Sequence, residues 1–290
     1  NHYTYLNNAK PVLIQTSPEN NFMPTAAEIA PFIAEANLLA LCSPLNPTGT
    51  VFKKSDLEAI CELVLAENTK RKVTGQKPLY VMYDQIYWPL TFGTTEHYNP
   101  VSLRPEMRNY TLFVDGISKS LAATGVRVGW TMGPKVITDK IKSILTHVGA
   151  WAPKAEQMAT AAYLSDLGQY DNFLNAIKTQ INDRLVGFYE GFQALKAEGH
   201  SVDAIAPEAA IYLTVQFTLQ GKTTAEGRVL ETTSDVTKYI LDEAKVAIVP
   251  FSAFGASADS SWYRLSVGTC KLEDVQGVIS NLRGALSKLS

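Results

Sequence analysis

The chain has 290 residues, 46% of them hydrophobic and 19% charged, enough apolar material for a buried core and for two domains. A formal net charge of -2 excludes the overall basic footprint of a nucleic-acid or anionic-membrane binder and points to small molecules as partners. Three well-separated cysteines, Cys42, Cys61 and Cys270, have no CxxC pair and no histidine at ligand spacing; they support neither a disulfide framework nor a metal site, and fit plain thiols in a reducing, cytoplasmic setting.

No apolar run approaches the ~18 residues of a membrane span. The opening residues NHYTYLNNAK lack a basic stretch followed by an apolar core, so they do not read as a secretion signal, nor as a natural domain start. Further on, LLALCS (38–43), PLYVMYD (78–84), YTLFVDG (110–116) and VGWTMG (128–133) are short, β-rich and bounded by Pro, Gly or Asp, and they predict buried strands. Between the first two, KSDLEAICELVLAEN predicts a helix with Leu57, Ile60, Cys61, Val64 and Leu65 on one face and Ser55 with Glu58 as a capping box. Strands alternating with helices imply an α/β fold with a mostly parallel sheet covered on both sides.

Val136, Ile137, Ile141, Ile144, Leu145 and Val148 then mark an amphipathic helix, and Pro153 suits the first turn of another. The series Phe173, Ile177, Ile181, Leu185, Phe188, Phe192, Leu195 predicts a long helix able to bridge two domains. Beyond Gly199 the pattern becomes strands at 211–219, 246–251 and 262–269, a helix near 233–244 and a closing helix through Leu272, Val275, Ile279, Leu282 and Leu286. That is a smaller α+β layer, so the chain divides into 1–184 and 185–290.

Candidate reactive residues cluster past three predicted strand ends: Asn46 in SPLNPTGT, Asp84 and Tyr87 in YDQIY, and Lys119 in DGISKS. Ligands bind at that edge of open α/β sheets. Taken singly, Asn-Pro-Thr-Gly reads as a turn, Asp84 as a cap, Tyr87 as a core residue and Lys119 as a surface lysine after a turn-forming Asp-Gly. Their order and spacing are what raise the chemical reading.

In that order NPTG (46–49), D-x-x-Y (84–87), S-K-x-x-x-x-x-G-x-R-x-G (118–129) and the arginine strand YRLSVGT (263–269) resemble the pyridoxal-phosphate enzymes of fold type I, specifically the class I/II aminotransferases. The resemblance implies a large domain over 1–184, a small α+β domain over 185–290, and pyridoxal 5'-phosphate as cofactor. It implies that Lys119, with its amine unprotonated near neutral pH, bonds the cofactor aldehyde and later shuttles a proton. Asp84 would pair with the pyridine nitrogen, Tyr87 and Asn46 with the ring's phenolic oxygen, and Ser118 and Arg127 with the phosphate. Arg264 would grip the α-carboxylate of the amino acid, and its place in the second domain implies closure on substrate. Gly125 and Gly129 would let the backbone pass close to the cofactor, or simply bend it.

The chain departs from this pattern at Gly116, where the family usually has a phosphate-binding serine. The glycine-rich phosphate turn, the ring-stacking aromatic and the amino-terminal arm have no counterpart in these 290 residues, so the chain reads as a fragment of a longer enzyme that works as a homodimer. A carbon–sulfur β-lyase on the same fold, using the same residues, is the alternative enzyme. A non-catalytic cofactor-binding sensor domain of a transcription regulator is the alternative from another class. Phe251, Tyr212, Trp88 and Trp151 read either as pocket lining or as core.

Overall fold

The computed structural model of the chain describes residue 4 and residues 6–290. Among the described residues the strands form two four-stranded sheets. The first consists of β1 (Leu38–Cys42), β2 (Tyr80–Asp84), β3 (Thr111–Gly116) and β4 (Gly129–Met132) in that spatial order. β1, β2 and β3 run parallel, with Cys42 opposite Asp84 and Asp84 opposite Val114, whereas β4 returns antiparallel at the edge. Helix α1 (Lys54–Thr74) makes the crossover from β1 to β2 and buries Leu57, Ile60, Cys61 and Val64, with Leu65 half-buried, in a core with Leu41, Val81 and Tyr83.

The helix starts one residue before Ser55, with Lys53 as its uncapped N-cap, so the expected capping box does not form. Glu58 instead pairs with Arg104 at 3.0 Å. It also runs beyond the apolar face to Gly75, whose left-handed φ of 68° ends it. Glu67 and Arg71 are buried in this extension; Arg71 bonds Glu67 (2.7 Å) and the Ile33 and Ala36 carbonyls (2.9 and 2.8 Å), pinning the chain that leads into β1.

After β3 comes the single helical turn α2 (Ile117–Ser120), so Asp115 and Gly116 end a strand rather than form the expected turn. Gly116 has an extended φ of 172° and pairs with Gly129. Helices α3 (Lys135–Val148) and α4 (Lys154–Leu164) follow, with Pro153 at the N-cap of α4. α3 has the expected amphipathic pattern yet fully buries none of it: Ile137, Ile141 and Leu145 are half-buried, while Val136, Ile144 and Val148 are exposed.

Helix α5 (Leu167–Ala197) is the predicted long helix. Phe173 remains exposed near its start, whereas Ile181, Leu185, Phe188, Phe192 and Leu195 enter a second core. Residue 185 therefore lies inside one unbroken helix, most of whose buried face belongs to the second sheet. That sheet runs β5 (Val202–Ala204), β6 (Tyr212–Phe217), β8 (Trp262–Ser266), β7 (Val249–Pro250), all antiparallel. β5 is a strand that the pattern did not signal, and β7 is shorter than expected, since residues 246–248 stay outside the ladder and Phe251 begins a tight 3-10 turn. Helix α6 (Thr233–Tyr239) has the capping box Thr232/Asp235 and continues as a π-turn to Ala244, and α7 (Asp274–Leu286) closes the layer.

The sheets are joined by backbone as well as side chains. Ala209 N–H donates to Gly49 O (2.8 Å), the Thr214 hydroxyl to Thr48 O (2.8 Å), and Glu208 accepts from Asn21 Nδ2 (2.7 Å) and the Val51 N–H (2.9 Å). The second core also extends across this junction to Tyr87, Leu90 and Phe92 of the first layer.

Candidate active site

Because β1, β2 and β3 are parallel, the segments after Cys42, Asp84 and Gly116 emerge at one sheet edge. This edge receives Asn46, Asp84, Tyr87 and Lys119, with Ser118 next to Lys119 in α2. Asn46 sits in a turn closed by Leu45 N–H to Thr50 O and Gly49 N–H to Leu45 O, both 2.8 Å. Gly49 is required there: its φ is 73°, and a Cβ would lie 2.4 Å from Tyr212 O and 2.9 Å from Ala209 O. The turn that offers Asn46 is thus pressed onto β6.

Asp84, the last residue of β2, is half-buried, and its Oδ1 accepts from the Ile86 N–H at 3.1 Å. Burial raises its pKa, and that N–H offsets part of the rise. Neighbouring Asp115 is buried and is likewise pushed up by desolvation, although it accepts from the Gly116 N–H (2.7 Å), Trp88 Nε1 (2.9 Å) and Gln85 Nε2 (3.3 Å). Tyr87 is buried, and its hydroxyl lies 2.5 Å from that of Tyr212. Desolvation and that phenol pair push the Tyr87 pKa far up, so it stays a neutral hydrogen-bonding group. Lys119, in α2 and half-buried, places Nζ 5.7 Å from the centre of the Tyr87 ring.

Arg264 reaches this edge from β8. Its Nη1 donates to Asn46 Oδ1 at 2.9 Å, and its guanidinium lies between the Tyr212 ring (4.7 Å) and the Phe254 ring (4.9 Å). Nε of the same group is buried and has no hydrogen-bond partner among the described residues. A buried charged donor left unpaired is costly unless an acceptor arrives, and a carboxylate is the natural one. Asn46 and Arg264 come from opposite sheets and are already in contact.

On the side expected to hold phosphate, Ser118 is half-buried in α2, while Arg127 is exposed with a left-handed φ of 61°. Its Nη1 donates to Thr124 O (2.8 Å) in its own loop. Gly129 packs against β3, where a Cβ would come 3.0 Å from Asp115 O; Gly125 meets nothing within 4 Å. At Gly116 a Cβ would stand 2.9 Å from both Gly129 Cα and Val128 O, so the serine expected from the family pattern has no room here.

Of the four aromatics considered for a pocket, Tyr212 alone touches Arg264. Phe251 is core, edge-on to Phe22 at 5.1 Å; Trp151 is exposed; Trp88 is exposed on one side and bound to Asp115. Phe254 was not singled out by sequence, because a half-exposed aromatic in a short turn carries no periodic signal. Tyr212 is one of the four that the sequence offers, although it reads equally as one more apolar position of a buried strand.

The donor set fits pyridoxal phosphate. A half-buried carboxylate with raised proton affinity suits a ring N–H, a neutral phenol suits a phenolic oxygen, an amine stands beside that phenol, and an unpartnered guanidinium nitrogen awaits an anion. Fold and donor set together point to the pyridoxal-phosphate class of proteins. The chain belongs to the family aminotransferase class I and II, whose model matches residues 1–282.

Among curated relatives it is 28% identical over 283 residues to an aspartate aminotransferase of Rhizobium meliloti, covering 97% of this chain and 64% of that protein. It is 30% identical over 287 residues to the bifunctional aspartate aminotransferase and glutamate/aspartate-prephenate aminotransferase of Petunia hybrida, covering 97% and 55%. The crystal structure of the aspartate aminotransferase of Rhizobium meliloti superposes with a TM-score of 0.86 at 26% identity, over 99% of this chain and 67% of that one. The aspartate aminotransferase of Thermus thermophilus with maleate does so with a TM-score of 0.78 at 26% identity, over 95% and 64%. The chain thus spans less than two thirds of the length of these curated relatives.

Proposed function

We propose that the protein transfers an amino group between an α-amino acid and a 2-oxo acid, using pyridoxal 5'-phosphate bound at Lys119. The observation that carries this reading is the meeting, at one sheet edge, of Lys119, Tyr87, Asp84 and Asn46 with Arg264 from the other sheet. The cofactor, when bound, supplies an electron sink conjugated to the substrate α-carbon.

The chain's own residues do the rest. Lys119 would hold the cofactor at its aldehyde carbon, the aldehyde oxygen leaving as water, and its amine, once freed by the substrate amine, would carry the proton lost from the substrate α-carbon. Asp84 holds a proton at the pyridine nitrogen, so that the ring stays electron-poor. Tyr87 and Asn46 donate to the phenolic oxygen, and Ser118 and Arg127 bind the phosphate. Arg264 grips the α-carboxylate with Nε and a neighbouring nitrogen, which orients the α C–H bond. The names of the relatives, aspartate aminotransferase among them, favour an acidic donor such as aspartate. A cytoplasmic homodimer is part of the same proposal.

The test adds pyridoxal phosphate to the full-length protein and follows visible absorbance as aspartate is supplied with and without 2-oxoglutarate. Lys119→Ala is expected to abolish both colour and its response to amino acids. Colour and response surviving in that variant would overturn the assignment. Turnover that needs no 2-oxo acid and releases pyruvate and ammonia would make the protein a β-lyase instead.

A further inference from the structure

Tyr212 touches three parts of the arrangement: the turn that presents Asn46, the Arg264 guanidinium and Tyr87. Its backbone carbonyl faces Gly49 in the turn that presents Asn46, 2.4 Å from where a Cβ would stand. Its ring lies beneath the Arg264 guanidinium at 4.7 Å and edge-on to the Tyr87 ring at 5.5 Å. Its hydroxyl is 2.5 Å from that of Tyr87. Register explains the convergence: Arg264 pairs with Thr214, and Tyr212 is two residues along on the same face of β6.

We infer that Tyr212 is a positioning residue, which seats Arg264 on its ring and uses its hydroxyl to fix the direction in which Tyr87 donates its own hydrogen. This rests on the reading of the site given above. A phenol has one hydrogen and two acceptor lone pairs. When Tyr212 donates to Tyr87 Oη, the Tyr87 hydrogen is free to turn toward an anionic ligand oxygen; when the roles reverse, that hydrogen is consumed between the two phenols. The Arg264 charge over the Tyr212 ring draws electron density from it and makes its hydroxyl the better donor. One side chain therefore links carboxylate binding to hydrogen bonding at the cofactor ring.

The experiment uses the full-length protein loaded with pyridoxal phosphate and compares wild type with Tyr212→Phe, Tyr87→Phe, the double variant and Lys119→Ala. Phenylalanine keeps the buried ring and its contact with Arg264, so the fold is retained. The reading is the pH midpoint of the visible absorbance. Tyr212→Phe is expected to move that midpoint in the same direction as Tyr87→Phe, by at least about threefold in proton affinity, and the double variant no further than Tyr87→Phe alone.

A hydroxyl with a merely structural role would lower Tm and leave the midpoint in place. A Tyr212→Phe midpoint equal to wild type, or a double variant showing the sum of both shifts, overturns the inference while colour lost in Lys119→Ala upholds the functional reading. Colour persisting in Lys119→Ala, or absent from wild type, overturns both.

Discussion

At the scale of single residues, the site combines groups that the fold leaves incompletely satisfied. Asp84 sits half-buried with its proton affinity raised, and Arg264 keeps Nε buried and unpartnered while Nη1 is held by Asn46. Each is costly alone and each is relieved by a ligand of opposite charge, which is how an enzyme reserves binding energy for its substrate. If Arg264 holds the substrate carboxylate as proposed, Arg264→Leu removes a two-pronged, charge-assisted contact, a loss of about 1.5–3 kcal/mol. The Michaelis constant for the amino acid is therefore expected to rise about 10- to 150-fold, with cofactor affinity little changed, as measured by steady-state kinetics beside a pyridoxal phosphate titration. Equal losses in both would count against the carboxylate role.

At the scale of elements, the β3–β4 pair decides what can surround the lysine. Gly116 and Gly129 face each other across the antiparallel ladder so closely that a Cβ on either meets backbone. The backbone atoms it would meet, unlike side-chain tips, cannot swing aside. Gly116→Ser, which would restore the family's serine, is thus expected to destabilise by about 1–3 kcal/mol through overpacking and not to tighten phosphate binding. Urea denaturation and a cofactor titration of the variant check both parts. A gain in cofactor affinity without loss of stability would show that β4 can shift outward. The same crowding explains why the Asp-Gly pair ends a strand here, although in sequence it reads as a turn.

At the scale of the whole molecule, two cores meet through Glu208, Thr214, Ala209 and the Tyr87–Tyr212 pair. The division proposed near residue 185 falls inside α5, which is unbroken there and whose apolar side chains from Leu174 onward already pack against the second core. Global stability carries an acid sensitivity from His97. Both of its ring nitrogens are buried without partners, beside the Tyr83 ring at 6.1 Å and the Trp88 ring at 6.3 Å, and burial pushes its pKa down to about 4.

The unfolded chain binds a proton here near pH 6.5 while the folded chain resists, so this stability is full above about 6.5 and is lost as pH falls toward 4. Between pH 7 and 5 the loss from this group is about 2 kcal/mol. Asp84 and Asp115, whose pKa values are raised, work in the opposite sense, adding stability as acid protonates them between their raised values and the ordinary one of 3.8. His97→Leu is expected to flatten the fall in stability between pH 7 and 5, as read by denaturation at the two pH values. An unchanged slope would place the acid sensitivity elsewhere.

The amino-acid sequence by itself determined the elements with strong local signals and the order of the chemical residues. Short apolar runs bounded by Gly, Pro or Asp gave β1 to β3, a periodic face gave α1 and α5, and parallel strands put Asn46, Asp84 and Lys119 past the same ends. Local pattern carries this because backbone propensity and hydrophobic period act over a few residues. It misplaced the start of α1, missed β5, and gave no warning that the amphipathic α3 would leave its outer apolar residues exposed. Only the tertiary structure decided that Tyr212 meets Tyr87 across 125 positions and that Arg264 meets Asn46 across 218. Such contacts depend on strand register and on how closely two sheets approach, at Gly49 and at Gly116, and those are properties of packed backbone that no local window encodes.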